Sequence, residues 1–140
     1  MSTQVEETLV LIKPDGVARN LTGEILRRIE AKGYSLVDMK LVQAERSLLA
    51  EHYAEHEGKP FYEPLIEFME SGPIVAFRIA GNRVIEGFRA LAGTTDPTTA
   101  APGTIRGDLG RDWGVKVQQN LVHGSDSPES ADRELALWFA

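Results

Sequence analysis

The chain is organised around Asn120-Leu121-Val122-His123-Gly124-Ser125-Asp126-Ser127, close to its C-terminal end. The first three residues predict the end of a buried strand, and Gly124 allows a tight turn after it. Ser127-Pro128 predicts the N-cap and first position of a helical segment that ends at Phe139. One histidine, His123, therefore lies at a strand-to-helix junction that a ligand can reach.

An imidazole in this place has two interpretations of about equal weight on local pattern alone. With an unperturbed pKa of about 6.5, it can act as a base, nucleophile or metal ligand. Alternatively, it is a buried histidine whose nitrogens are satisfied by the backbone. Glu134 on the following helix favours the first interpretation, because a carboxylate on one ring nitrogen leaves the other free to attack. Ser125 could bridge His123 and Glu134. The alternative for Glu134 is a solvated residue on the surface of the helix.

Composition limits the classes of partner. The 140 residues include 15 lysines and arginines against 21 aspartates and glutamates, a formal net charge of −6. This balance disfavours nucleic acid and anionic membranes, so a phosphate-bearing ligand must be held by a few placed cations. The chain has no cysteine, which fits a reducing compartment. The N-terminus lacks the basic start and apolar run of a signal peptide, so we expect one cytoplasmic domain over residues 1–140.

The first third of the chain predicts a strand, a helix and a second strand. The continuous apolar run from Thr8 to Ile12 predicts a central strand covered on both faces, and Lys13-Pro14-Asp15-Gly16 predicts a turn. A helix with an apolar stripe follows and ends at Gly33. The second strand is expected to be half-buried, because apolar residues alternate with polar ones at Val37, Met39 and Leu41.

The remainder of the chain completes an α+β pattern. Helical segments around Leu49 and from Phe61 to Glu70 predict a helical hairpin standing off the sheet. A third strand from Pro73 to Ile79 precedes a helix, and a long Gly/Pro-rich loop then runs from Thr94 to about Gly114. This order favours a ferredoxin-like sandwich: a four-stranded, antiparallel sheet with its helices on one side.

The usual nucleotide signatures are absent. The sequence has neither a G-x-x-x-x-G-K-[ST] loop nor a G-x-G-x-x-G fingerprint, so a nucleotide must be bound by another design. Four residues make a plausible polyphosphate clamp, although each alone is more simply a surface residue: Lys13, Arg89, Thr95 and Arg106. His52 and His56 share a helix face, but without a third ligand we favour surface histidines over a metal site.

Four motifs, taken together and in this order, resemble the nucleoside diphosphate kinase family. They are Leu11-Ile12-Lys13-Pro14-Asp15-Gly16-Val17, Pro102-Gly103-Thr104-Ile105-Arg106-Gly107-Asp108, the stretch quoted first, and Leu137-Trp138-Phe139. The resemblance runs from about Thr8 to Phe139. It implies transfer of the terminal phosphate of a nucleoside triphosphate, typically ATP, to a nucleoside diphosphate. The implied mechanism is ping-pong through a phosphohistidine, and the implied role of the reaction is to maintain the NTP and dNTP pools.

The resemblance also implies a role for each matching residue. His123 is the nucleophile, phosphorylated on its pros nitrogen Nδ1, and Glu134 and Ser125 orient its ring. The residues implied to hold the phosphates are Lys13, Tyr53, Arg89, Thr95 and Arg106. Asn120 and Lys13 are implied to bind the sugar hydroxyls, and Phe61 to stack on the base with Leu65 and Val117 nearby. Mg²⁺ is expected to be held mainly by the nucleotide phosphates rather than by protein side chains.

One departure from the family pattern is the link from Asp108 to His123, which is a few residues longer than usual. Its Gly110 to Gly114 segment carries Trp113, for which we favour a subunit contact over a cover for the nucleotide or a surface position. The resemblance implies a homo-oligomer, a tetramer or hexamer built from dimers, without a membrane or nucleic-acid partner.

Two other functions compete with phosphotransfer. A nucleotide-binding module without catalysis would use Phe61, Arg89 and Arg106, but it gives no reason for the combination of His123 with Glu134. A nucleic-acid-binding protein is disfavoured by the acidic balance and by the lack of aromatic residues on the fourth strand.

Overall fold

Strands and helices alternate along the chain in a computed structural model that describes residues 5–115, 117 and 119–140. The strands are β1 (Val5–Ile12), β2 (Ser35–Val42), β3 (Ile74–Asn82) and β4 (Val122–Gly124). The helices are α1 (Pro14–Ala18), α2 (Thr22–Lys32), α3 (Arg46–His52), α4 (Tyr62–Glu70), α5 (Val84–Ala92), α6 (Ile105–Leu109) and α7 (Pro128–Trp138), with a 3-10 turn at Ala54–His56. Among the described residues, none of these helices has the length and hydropathy to cross a membrane.

The four strands form one antiparallel sheet in the order β2-β3-β1-β4, which confirms the predicted ferredoxin-like arrangement. β1 is central, as its continuous apolar run predicted, and pairs with β3 along its whole length. β4 contributes only three residues, and its register sets His123 opposite Leu11. The prediction that Asn120 and Leu121 continue this strand was wrong, because the backbone at Leu121 has a φ of 74° and leaves the extended conformation.

Helices cover both faces of the sheet, rather than one face as the sequence predicted. Successive residues of β1 point to opposite faces, so each face needs its own apolar cover. Val10 and Ile12 pack in one buried cluster with side chains of α2 and α5. Leu9 and Leu11 pack in the second cluster, with side chains of α3, α4 and α7. The predicted α3–α4 hairpin therefore exists, but it packs on the sheet instead of standing off it.

The middle of β2 is uncovered, which corrects the prediction of a half-buried strand. Val37, Met39 and Leu41 are 51%, 47% and 67% exposed, and the polar residues between them are exposed as well. β2 is an edge strand, and a register shift between Leu36 and Asp38 interrupts its pairing with β3. The strand itself was predicted correctly. Its central side chains are exposed because β2 lies at the edge of the sheet, where neither layer of helices covers them.

Two segments that the sequence predicted to be irregular contain short helices. α1 begins directly after Lys13, with Pro14 in its first turn. α6 lies inside the long Gly/Pro-rich loop, where the Thr104 hydroxyl caps it by accepting a hydrogen bond from the Gly107 amide at 2.9 Å. By contrast, the predicted ends at Gly33 and Ser127 are confirmed: Gly33 has a φ of 106°, and the Ser127 hydroxyl caps α7.

We predict opposite effects for two glycine-to-alanine substitutions. A Cβ at Gly107 would lie 1.9 Å from the Ala101 carbonyl oxygen, so Gly107→Ala forces backbone apart and should destabilise the fold by about 1–3 kcal/mol. Gly23, in the first turn of α2, has open space around it, so Gly23→Ala should stabilise by about 0.5 kcal/mol. Urea unfolding of both variants measures the difference, and equal midpoints would contradict this account of α6.

Candidate active site

A cleft of about 340 Å³ opens where β1 ends and β4 begins. Six residues that the sequence singled out line it: Lys13, Arg89, Thr95, Arg106, Asn120 and His123. They come from five different parts of the chain, namely the end of β1, α5, the loop after α5, α6 and the segment around β4. The fold thus brings the predicted phosphate clamp and the predicted nucleophile to one place.

His123 is held through one nitrogen only. Its Nε2 lies 2.8 Å from Oε1 of Glu134, and the Ser125 hydroxyl donates to the same oxygen at 2.6 Å. The prediction that Ser125 bridges His123 and Glu134 was therefore wrong. Ser125 and the imidazole bind the same carboxylate oxygen. Because a carboxylate accepts hydrogen bonds, Nε2 carries the proton and Nδ1 keeps its lone pair. Nδ1 has no hydrogen-bond partner within the described part of the chain.

Glu134 is ionised throughout the physiological pH range. Burial alone would raise the pKa of this carboxyl group, since Glu134 is only 5% exposed. The hydrogen bonds from His123 and Ser125, together with the charge of the imidazole, outweigh burial and lower the pKa to about 2. The carboxylate can therefore stabilise positive charge that develops on the ring.

The segment before His123 contains a γ-turn centred on Leu121. The Val122 amide donates to the Asn120 carbonyl at 2.8 Å, across the left-handed Leu121. Two contacts from the start of α1 hold this turn: the Leu121 amide donates to Asp15 Oδ2 at 3.1 Å, and its carbonyl accepts from the Lys13 amide at 2.8 Å. No role was predicted for Asp15 from the sequence, although this residue lies in the Lys13-Pro14-Asp15-Gly16 turn.

Lys13 and Asn120 form a polar row along the cleft. The Lys13 ammonium donates to Asn120 Oδ1 at 2.8 Å, and the Asn120 side-chain amide donates to the Thr95 carbonyl at 3.1 Å. Burial of the Lys13 ammonium, and then the charge of Arg106, lower the pKa of Lys13 to about 8. Lys13 is thus a cation at neutral pH that loses its charge only slightly above it.

Arg106 is fixed by the backbone. It donates to the carbonyls of Asn120, Gly93 and Val122 at 3.0, 2.9 and 2.6 Å. Burial, followed by the charge of Arg89, lowers its pKa to about 10. Among the described residues, neither Arg106 nor Lys13 nor Arg89 forms an ion pair with a carboxylate. The cleft therefore carries positive charge that an anionic ligand can neutralise.

β4 passes very close to α5 beside His123. A Cβ at Gly124 would lie 2.6 Å from the Phe88 ring, so the backbone after His123 rests directly on this buried side chain. The next residue of α5, Arg89, lines the cleft and donates to the Gly124 carbonyl at 3.4 Å. Glycine at position 124 is therefore required by the close approach of a strand to a helix.

The prediction that His52 is a surface histidine was wrong. His52 is a buried neighbour of His123. It is 3% exposed, and the centroids of the two rings are 4.8 Å apart. His52, His123 and Glu134 present donor atoms within 4.8 Å of one another. However, the Trp138 indole donates to Nδ1 of His52 at 3.0 Å, which places the proton on Nε2. A metal bound to Nε2 would move the proton of the neutral ring to Nδ1, which could then no longer accept from the Trp138 indole. The cluster is therefore poorly suited to bind a metal.

The other predicted residues lie beside the cleft. Tyr53 is buried, which raises its pKa, and lines an adjoining cavity of about 190 Å³ together with His123. Phe61 is 46% exposed, and its ring lies 5.1 Å from that of His56, which lines the cleft. Within the described chain, Phe61, Leu65 and Val117 do not line the cleft itself.

Trp113 lies on the surface and is 45% exposed, with the guanidinium carbons of Arg19 and Arg111 at 5.9 Å and 4.5 Å from its ring centroid. The subunit contact predicted for it stays a prediction. Within the longer link, Lys116 and Gln118 lie outside the described residues.

Comparison with known proteins identifies the family. A sequence model of the family described as "Nucleoside diphosphate kinase" matches residues 6–140. Proteins of that name from Streptomyces avermitilis and Mycobacterium avium are 58% and 61% identical over 135 residues, covering 96% of this chain and 96% of each relative.

Solved structures agree. The halophilic nucleoside diphosphate kinase from Halobacterium salinarum, solved in complex with CDP, superimposes with a TM-score of 0.90 at 46% identity, covering 97% of this chain and 88% of that one. A nucleoside diphosphate kinase family protein from Babesia bovis gives a TM-score of 0.88 at 44% identity, with coverage of 96% and 88%. The chain therefore belongs to the nucleoside diphosphate kinase family.

Proposed function

We propose that His123 carries the phosphate in the reaction of this family. As a nucleoside diphosphate kinase, the chain transfers the terminal phosphate of a nucleoside triphosphate to a nucleoside diphosphate through a phosphohistidine. The observation that carries the proposal is the hydrogen bond from His123 Nε2 to Glu134 at 2.8 Å. It leaves the nucleophilic lone pair on Nδ1, in a cleft that also contains Lys13, Arg89 and Arg106.

In the first half-reaction, the Nδ1 lone pair forms a bond to the terminal phosphorus of the nucleoside triphosphate. The bond from this phosphorus to the bridging oxygen breaks, and the nucleoside diphosphate leaves with the electron pair. The proton on Nε2 stays where it is, so the ring becomes a cation that the Glu134 carboxylate stabilises. In the second half-reaction, a terminal oxygen of the acceptor diphosphate attacks the same phosphorus, and the P–N bond returns its electrons to Nδ1.

The cations of the cleft stabilise the charge on the transferring phosphoryl group. Arg106 uses three of its five N–H donors on backbone carbonyls, so two donors stay available for phosphate oxygens. Lys13 and Arg89 contribute further charge, and Tyr53 and Thr95 contribute neutral hydrogen-bond donors. The support for the role of the three cations is that none of them forms an ion pair with a carboxylate in the described part of the chain.

The sugar and the base are assigned to different residues of the site. Lys13 and Asn120, joined at 2.8 Å, present an ammonium group and an amide to the sugar hydroxyls. Phe61, an exposed ring beside His56, stacks on the base, and Leu65 and Val117 flank it. Stacking does not distinguish base edges, so broad tolerance for nucleotides follows.

The family uses a divalent metal in catalysis, and we propose Mg²⁺ for this chain. Two buried carboxyl groups near His123 already accept hydrogen bonds: Glu134 accepts from His123 and Ser125, and Asp15 accepts from the Leu121 amide through Oδ2. Asp15 Oδ1 is buried without a partner among the described residues, but a single carboxylate oxygen is not a cage for a metal ion. The charged groups that face the phosphates are cations. This set of groups fits a metal that the nucleotide phosphates hold, where it would neutralise part of their charge.

We further propose a homo-oligomer with nucleoside di- and triphosphates, ATP among them, as its ligands. The support is the uncovered edge strand β2, whose Val37, Met39 and Leu41 are about half exposed or more. Two such edges can pair and bury these side chains. This contact makes a dimer, and a tetramer or hexamer built from dimers stays a prediction, as does the cytoplasmic location.

The first prediction concerns the nucleophile. Incubation with γ-labelled ATP and Mg²⁺, without an acceptor, should place an acid-labile, alkali-stable phosphate on His123, and added GDP should discharge it. His123→Ala should abolish labelling while circular dichroism shows an unchanged fold, because the substitution removes the Nδ1 lone pair that receives the phosphate. Full labelling of this variant would overturn the assignment.

The second prediction concerns pH. Because the pKa of Lys13 is lowered to about 8, this side chain is charged below that pH and loses its proton as the pH rises through it. The value of kcat/KM for ATP, which reports the free enzyme, should therefore fall above pH 8. Lys13→Arg keeps the charge, so its kcat/KM should be lower at pH 7 but should not fall between pH 8 and 9.5. The same alkaline fall in both proteins would exclude Lys13 as its cause.

The third prediction concerns assembly. Leu41→Glu places a charge on the exposed edge of β2 and should reduce the mass in light scattering, because the charge would be buried in the dimer. Val5→Glu is a matched control, since Val5 has the same exposure of 67% but lies on β1. An unchanged mass for Leu41→Glu would show that copies assemble through another surface.

A further inference from the structure

His52 is a buried histidine to which the reaction outlined above gives no part. It is the last residue of α3 and is 3% exposed. Its ring makes edge contacts with three others, at centroid distances of 4.6 Å to Tyr53, 4.8 Å to His123 and 5.8 Å to Trp138. It therefore joins the core residue Trp138 to the nucleophile.

The state of the His52 ring is fixed by its neighbours. The Trp138 indole can only donate, and it donates to Nδ1 at 3.0 Å, so the proton of the neutral ring lies on Nε2. Burial, and then the charge of His123, lower the pKa of His52 to about 3. A neutral ring suits this place, because attack on phosphorus makes His123 a cation, and a second cation at 4.8 Å would oppose that step.

The contact with His52 supplies a restraint that Glu134 cannot supply alone. Glu134 holds the imidazole of His123 at one atom, Nε2, which leaves the ring able to rotate by tens of degrees about its Cβ–Cγ bond. The His52 ring packs against it at an interplanar angle of 74° and closes one side of this rotation. Displacements of this size matter, since attack requires an aligned lone pair.

We propose that His52, anchored by Trp138, is a positioning residue that holds the imidazole of His123 with Nδ1 facing the cleft. The proposal rests on the proposed role of His123 as the phosphate carrier. Position 52 needs two properties at once: an aromatic ring against His123 and an acceptor for the buried indole N–H of Trp138. Phenylalanine has the ring but would leave that donor unpaired, which is costly in a buried place.

Two variants separate the ring from the hydrogen bond. His52→Asn keeps an acceptor where Nδ1 was but removes the ring, and Trp138→Phe keeps the His52 ring but removes its anchor. In rapid-quench measurements of His123 phosphorylation, we expect rates about tenfold lower for His52→Asn and about threefold lower for Trp138→Phe. The KM for ATP should change less than twofold, because the nucleotide contacts are intact.

Leu49→Ala is the matched control for loss of packing. Leu49 lies on the same helix, is 0% exposed and belongs to the same buried cluster as Trp138, but it has no part in the cleft. Leu49→Ala should lower the unfolding temperature without changing the phosphorylation rate of the folded protein. A rate for His52→Asn that equals that of wild type, or a loss shared equally by Leu49→Ala, would overturn the proposal.

A spectroscopic measurement tests positioning directly. In NMR relaxation measurements, the His123 ring should move with larger amplitude in His52→Asn than in the wild-type protein, while its ¹⁵N shifts keep reporting the Nε2–H tautomer that Glu134 fixes. Equal ring mobility in the two proteins would contradict the restraint. Failure of the wild-type protein to label on His123 would instead refute the proposed function, so the two failures can be distinguished.

Discussion

The hydrogen bond from the Leu121 amide to the Asp15 carboxylate is the constraint on which the cleft depends. It holds a leucine in the left-handed region, a conformation that costs about 1–3 kcal/mol and persists only when its surroundings impose it. The resulting γ-turn directs the Asn120 carbonyl to Arg106 and the Asn120 side chain to Lys13. Burial raises the pKa of Asp15, which means that burying this carboxylate costs free energy. In return, the carboxylate orients the segment before His123.

An acidic chain thus maintains a cationic site. The net charge is −6, yet the described carboxylates near the cleft are turned to amides, to a hydroxyl and to His123 rather than to Lys13, Arg89 or Arg106. Carbonyl dipoles solvate Arg106 without neutralising it. Burial is the main cause of the lowered pKa values of Lys13 and Arg106, and the charge of a neighbouring cation is the second, Arg106 for Lys13 and Arg89 for Arg106. The charge of a bound polyphosphate would offset the repulsion between these cations.

Local patterns in the sequence predicted several features correctly, although they missed the short helices α1 and α6 and the turn at Leu121. Three correct predictions depend on residues that are close in the sequence or on adjacent elements. They are the apolar run of β1, the helix ends at Gly33 and Ser127, and the pairing of His123 with Glu134. Features set by long-range packing were missed. The exposure of β2 follows from its edge position, and the burial of His52 follows from Trp138, 86 residues away. No periodicity contains such information, because it arises only when the layers assemble.

The contact between Gly124 and Phe88 has a consequence for how this site can change over time. The strand that carries His123 packs directly on the Phe88 ring of the helix that carries Arg89, and position 124 has no side chain. The spacing between this strand and this helix is thus a property of two positions together. A larger residue at 124 becomes tolerable only after Phe88 has been replaced by a smaller one, so the two sites can diverge only as a pair, along a narrow mutational path.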